Sequence, residues 1–414
     1  MKPAYAKSVI PSKYMKALKK YRAEGDDLSI TRKYILNHFY EWLMRNVVPI
    51  SIAPNMITLI GFILMLLSST ITAIHSPNLT ERLPGWVFLL NATCLFLYQT
   101  LDNLDGKQAR KTGTSSPLGE LFDHGCDALA STLGTFCWLA TCAQGGGATS
   151  YLIMLNACIP FVFATWEEYY IGGLYLGYIN GPVEGILGVI MTQLLSFYYG
   201  AEFFHQNFST FVYDFISKDA SKLLGSSVAS QPLWLCLCSL TLCLASINVL
   251  LNTINVVSKI RENKIRPTNP DAETSILNTV TKLVPFIILL GGNLAWIIFS
   301  TTGIMKQHPY LLFYCSGISF GYLASNITLS YLLKSPLKSF SIINLPLCFA
   351  LLNLAVTHYT GKLFIEERFF LYICAVWVTV IYYNFVMSVC HQVSSYLGFF
   401  VLSIKPKPAK INQE

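Results

Sequence analysis

An all-α, polytopic membrane protein of about ten transmembrane helices is predicted by three observations. The 414-residue chain is 53% hydrophobic and only 12% charged, where soluble domains average roughly 25% charged residues. Its mean hydropathy is +0.49. Apolar runs recur along the whole chain, each near the roughly 20 residues a helix needs to cross a bilayer. Lipid cannot satisfy backbone N–H and C=O groups, so such runs fold as helices. No nucleic-acid partner is expected.

Taken in order, residues 1–46 are expected to form a polar, basic tail. Within it, RKYILNHFYEWLMR at 33–46 sets aromatics and leucines between charges. That pattern suits a helix lying in the membrane interface, and equally an amphipathic lead-in to the first span. Spans are expected near 54–75, 86–106, 118–142, 149–170, 183–201, 232–257, 282–302, 309–332, 340–360 and 368–391. The first six fall in a core at 47–260. The last four form an accessory region at 261–393. Residues 394–414 are expected to be a basic tail, whose KPKPAK at 405–410 meets anionic lipid heads. No short apolar stretch with a cleavage site opens the chain, so no removable signal peptide is expected. The twelve cysteines fall almost all in apolar runs without metal-ligand spacing, so neither a structural disulfide nor zinc is expected.

Lysine and arginine set the orientation. The first tail, the loops after even-numbered spans and the last tail hold 23 of them, against six on the other side. Lys264 and Lys405 are among the 23. Both termini, and the loop after span two, are therefore expected in the cytosol. Asn78 and Asn207 begin glycosylation sequons on the opposite side, a weak signal.

The chemistry concentrates in DNLDGKQARKTGTSSPLGELFDHGCD at 102–127. Carboxylates in a membrane segment are costly and usually mark a site. Asp102 and Asp105 are three apart, Asp123 and Asp127 four apart, so each pair shares one helix face. On neighbouring antiparallel helices the two pairs make a cage of hard oxygen ligands. At about 100° per residue, Gly106 and Ala109 share the face of Asp102 and Asp105, leaving room for a planar or phosphorylated group beside the backbone. Lys107, Arg110 and Lys111 flank that turn and suit phosphate charge. Pro117 suits the first turn of the next helix, on which Glu120, Asp123, His124 and Asp127 share one wedge. Oxygen-only ligands suit Mg²⁺ or Mn²⁺ rather than zinc, and two such ions would clamp a diphosphate. His124 is the natural general base for a hydroxyl nucleophile.

The stretch resembles the CDP-alcohol phosphotransferase family. Its pattern is D, two residues, DG, two residues, AR, eight residues, G, three residues, D, three residues, D. Here those positions are Asp102, Asp105, Gly106, Ala109, Arg110, Gly119, Asp123 and Asp127, without departure. The resemblance implies that the first three aspartates bind metal, and that Asp127 binds metal or aids catalysis. It implies that Gly106, Ala109 and Gly119 admit the cytidine nucleotide. SIAPNMITLIG at 51–61, with Asn55 placed to contact the nucleotide, and WEEYYIGGLYLGYINGPVEGI at 166–186 resemble the eukaryotic choline and ethanolamine phosphotransferases. His124 directly after Asp123 is typical of that branch.

That resemblance implies transfer of phosphocholine or phosphoethanolamine from CDP-choline or CDP-ethanolamine to diacylglycerol, in the endoplasmic reticulum or Golgi, by a homodimer. Glu184, in GPVEG, is expected to orient His124 as a carboxylate supports a catalytic imidazole. Glu120, one turn before His124, is a similar candidate or a nucleotide contact. Glu167 and Glu168 are expected to be structural or surface groups, and Tyr169, Tyr170, Tyr175 and Tyr178 an interfacial aromatic belt. Two other readings stand beside this one. CDP-diacylglycerol as donor is the first, though such enzymes are usually shorter, roughly 200 residues. A carrier or scaffold using the carboxylates for ion passage is the second.

Overall fold

Proline at the first helical turn, where its missing N–H forfeits no bond, opens three long helices: Pro54–His75, Pro117–Thr141 and Pro309–Leu333. The structure, a computed structural model, describes residues 9–22, 24–222, 224–262, 275–362 and 364–404. Lys264 and KPKPAK at 405–410 lie outside these residues. The other long helices are Gly85–Thr112, Ala148–Ile171, Ile186–Tyr199, Leu233–Arg261, Leu345–Thr360 and Glu367–Leu397. A helical stretch over Ile276–Phe299, interrupted by a short π turn at Ile287–Gly291, completes the set.

Helix therefore stands at each predicted span. Six stretches are long and apolar enough to cross a membrane: Pro54–His75, Ala148–Ile171, Leu233–Arg261, Ile276–Phe299, Ile342–Thr360 and Glu367–Leu397. The chain is a polytopic helical membrane protein. Of the other four, Ile186–Tyr199 has only 14 residues. Two carry the aspartates, and Pro309–Leu333 is rich in serine and tyrosine.

The all-α fold carries one small sheet besides its helices. Gly25–Asp27 pairs in parallel with Leu174–Leu176, Gly25 opposite Leu174. Gly25 has φ +133°, and a Cβ there would strike the Leu174 carbonyl, so glycine is required. The pairing straps the N-terminal segment to the end of Ala148–Ile171. After it, a π turn at Arg32–Leu36 leads into Asn37–Asn46. This amphipathic piece buries Leu36, Tyr40 and Met44 against Ile57, Leu104 and Val183, and exposes Tyr34, Ile35 and Trp42.

Pro54–His75 packs along Gly85–Thr112, and Pro309–Leu333 along Pro117–Thr141. The second contact is close because it is lined by glycine. A Cβ on Gly317 would lie 2.6 Å from Thr132 Oγ1, and one on Gly321 2.8 Å from Leu129 Cδ2. Small residues allow this approach where lipid supplies no hydrophobic driving force between helices. Gly317→Val should therefore force these helices apart. Overpacking of this kind costs about 1–3 kcal/mol, and a lowered thermal midpoint of the purified protein would show it. An unchanged midpoint would mean the contact is looser than the glycines indicate.

Candidate active site

The link between Gly85–Thr112 and Pro117–Thr141 is four residues long, which makes them antiparallel neighbours. Gly113 ends the first with φ +69°, its N–H bonding to Ala109 and Arg110 carbonyls. Ser116 caps the second, its Oγ accepting the Gly119 N–H at 3.1 Å. This turn brings the two aspartate pairs face to face. Carboxylate oxygens of Asp102, Asp123 and Asp127 lie within 4.8 Å of one another. Asp105 stands outside that trio but against it, interacting with Asp123.

Two neutral donors hold the outer carboxylates. Thr58 donates to Asp105 Oδ2 and Tyr98 to Asp127 Oδ1. By contrast, Oδ1 of Asp102 and Oδ1 of Asp123 are buried with no hydrogen-bond partner among the described residues. Buried polar atoms are rarely left so. Unanswered carboxylate oxygens converging from two helices fit a hard divalent cation.

Other residues of the motif stretch, and Asn55, lie on these two helices or beside them. Gln108 Nε2 donates to the Pro49 and Ile52 carbonyls, each at 2.9 Å, and so fixes the entry to Pro54–His75. Asn55 comes to rest beside Gly119, its Oδ1 3.4 Å from where a Cβ on Gly119 would be. Asn55 Nδ2 donates to the Val401 carbonyl at 2.9 Å, so the segment after the last helix also reaches this point. At Gly106 a Cβ would meet only the Arg110 guanidinium, at 3.5 Å. Ala109 and Lys107 are half-buried and Arg110 is exposed, all on the same last turns. Lys111 is tied down instead, donating to the Met44 carbonyl at 2.6 Å. Glu120 accepts from the Tyr21 hydroxyl. Burial and the Glu120 carboxylate push that hydroxyl's pKa up, so it stays a donor.

His124 is buried. Its carboxylate neighbour is Glu168, with Nδ1 3.8 Å from Oε2, rather than Glu184. Both Glu184 oxygens are engaged elsewhere: Oε1 by Ser29 Oγ at 2.6 Å and Thr31 N at 3.3 Å, Oε2 by Asn180 N at 2.9 Å. Glu184 thus anchors the N-terminal segment. Glu168, expected as a structural or surface group, is only 2% exposed. Glu167 Oε1 accepts from Asn255 Nδ2 on Leu233–Arg261 at 2.8 Å. Tyr169 and Tyr170 are core residues, while Tyr175 and Tyr178 are exposed. Thr58, Tyr98 and Thr328, whose Oγ1 is 3.2 Å from His124 Nδ1, carry no signal that the chain alone reveals. Glu168 had one, a carboxylate inside an apolar run.

A helical membrane protein with paired aspartates on antiparallel helices defines the class, and comparison with known proteins gives the family. Residues 51–178 match the family model described as CDP-alcohol phosphatidyltransferase. The chain is 34% identical to choline/ethanolaminephosphotransferase 1 of Arabidopsis thaliana, over 95% of this chain and 97% of that protein. It is 37% identical to choline/ethanolaminephosphotransferase 1 of Saccharomyces cerevisiae, over 47% of this chain and 49% of that one. It is 36% identical to CDP-diacylglycerol--serine O-phosphatidyltransferase of Encephalitozoon cuniculi, over 51% and 54%. The chain belongs to the CDP-alcohol phosphatidyltransferase family.

If the carboxylate cluster holds a cation, Mn²⁺ should raise the thermal midpoint of the wild-type protein. At a hundred times Kd the stabilisation is about 2.7 kcal/mol. Asp102→Asn and Asp123→Asn should each lose most of that rise, and a full rise in either would place the cation elsewhere.

Proposed function

We propose that this enzyme transfers phosphocholine, phosphoethanolamine or both from the CDP ester to the free hydroxyl of diacylglycerol. CMP leaves, and phosphatidylcholine or phosphatidylethanolamine forms. The observation that carries this is the trio Asp102, Asp123 and Asp127, with buried His124 next to it in sequence. Similarity to a choline/ethanolaminephosphotransferase over nearly the whole chain supports the choice of substrates.

In this reading His124 accepts the diacylglycerol hydroxyl proton. The freed oxygen attacks the β-phosphorus in line, and the bond from that phosphorus to the bridging oxygen of CMP breaks. No phosphoenzyme forms. Asp102, Asp123 and Asp127, with Asp105 at their edge, would hold Mg²⁺ or Mn²⁺, two ions in all. Such ions, when bound, neutralise the diphosphate and the departing CMP. Asp127 would thereby serve catalysis as well as binding. Asn55, Gly106, Ala109 and Gly119 make the space for cytidine, and Lys107 and Arg110 face phosphate. Glu120 contacts the donor or supports His124. Glu168 answers the charge of protonated His124, the part first expected of Glu184. Diacylglycerol enters sideways from the bilayer, being too apolar to cross water. The protein works as a homodimer of the endoplasmic reticulum or Golgi, with termini and site cytosolic.

The serine O-phosphatidyltransferase relative favours a second reading, with CDP-diacylglycerol as donor. That relative covers half of this chain, against 95% for the plant protein, and the first reading is therefore preferred. A carrier with the same carboxylates would bind ions without making product.

Purified protein should move label from CDP-choline or CDP-ethanolamine into phospholipid when given diacylglycerol and Mg²⁺ or Mn²⁺. His124→Ala should lower the rate about 10²- to 10⁴-fold, the usual worth of a general base. Label moving only from CDP-diacylglycerol would establish the second reading, and no transfer from any donor would favour the carrier. Glu168→Gln should reduce turnover more than Glu184→Gln, and the reverse order would restore Glu184 as the partner of His124.

A further inference from the structure

Thr328 lies on Pro309–Leu333, in the half of the chain beyond the family motif, and is fully buried. The glycine-lined contact with Pro117–Thr141 carries it to the proposed base. Thr328 Oγ1 is 3.2 Å from His124 Nδ1. The same hydroxyl is 3.5 Å from the Ala324 carbonyl one turn earlier, a partner that helical threonines commonly use. A hydroxyl has one proton. Directed at Ala324, it leaves only oxygen lone pairs facing the imidazole. Glu168 Oε2, 3.8 Å from the same ring nitrogen, also presents oxygen there.

With the hydroxyl proton in that orientation, oxygen faces Nδ1 from both Thr328 and Glu168, an environment that favours the tautomer with the proton on Nδ1 and leaves Nε2 bare. The bond made by one ring nitrogen decides the state of the other. We propose that Thr328 is a positioning residue that holds His124 as the Nδ1–H tautomer, so that Nε2 receives the proton of the attacking hydroxyl. This rests on the proposed role of His124 as base. In the step, the alcohol O–H bond breaks and an Nε2–H bond forms. The ring then carries both protons, its Nδ1–H still directed at Thr328 and Glu168. An imidazole in the other tautomer has no lone pair on Nε2 and cannot take that proton, the fault a wrong tautomer produces in serine hydrolases.

Two measurements test this on the full chain. In the first, the seven histidines are labelled with ¹⁵N, and a difference spectrum against His124→Ala isolates the His124 signals. Nδ1–H is expected in the wild type and in Thr328→Ser. Thr328→Val, which keeps the shape and removes the hydroxyl, should move the population toward Nε2–H. In the second, Thr328→Val should lower kcat about tenfold or more with the KM for the CDP-alcohol within about twofold, since a positioned base acts in the transition state rather than in ground-state binding. Thr328→Ser should recover most of the rate. Nε2–H in the wild type would overturn the assignment. So would an unchanged kcat in Thr328→Val, or a serine variant as impaired as the valine one, which would assign the effect to packing. A wild-type chain that transfers no phosphoalcohol would sink the proposed function, while the spectra would still decide the tautomer.

Discussion

Four carboxylates gathered at the edge of an apolar bundle are the constraint around which the rest is arranged. Charge in a membrane segment costs several kcal/mol unless something answers it. Part of the answer is built from neutral donors, Thr58 for Asp105 and Tyr98 for Asp127. The remainder is left open at Asp102 and Asp123, where one carboxylate oxygen of each is buried with no hydrogen-bond partner among the described residues. A short turn, locked by left-handed Gly113 and the Ser116 cap, sets the two helices that carry them at fixed separation. Carboxylates held together in this way, with neither helix free to relax away, suit a cation.

Segments distant in sequence converge on that cluster. The N-terminal residues form a strap: Tyr21 reaches Glu120, Gly25–Asp27 pairs with Leu174–Leu176, and Ser29 and Thr31 bind Glu184. From the other end, Val401 meets Asn55 and Thr328 meets His124. The motif at 102–127 thus supplies the clustered carboxylates and His124, and the rest of the chain supplies contacts that hold them. This division suits a rigid helical scaffold, in which precision depends on supporting contacts more than on the reactive residues themselves.

The aspartate pairs, the helices beneath them and the long apolar spans were all legible in the chain, because each depends on local spacing. Period and length identify a span, and three- or four-residue intervals identify a helix face. Residue spacing does not reveal which side chains meet across helices. Glu184 sits in a conspicuous turn yet serves the N-terminal strap, while Glu168 ends an apolar helix and stands beside His124. Tyr169 and Tyr170 look like an interfacial belt but pack in the core. The two-stranded sheet escaped notice because three-residue strands carry no periodicity.

By itself, the sequence determined that this is a helical membrane protein, where its carboxylates lie and which family pattern they follow. Those properties are written in hydropathy and residue interval, which act within one helix or one turn. Only the tertiary structure decided which groups answer the carboxylates and which surround His124. Those pairs join residues 29 to 204 positions apart, and helix packing, which small residues permit but do not specify, brings them together.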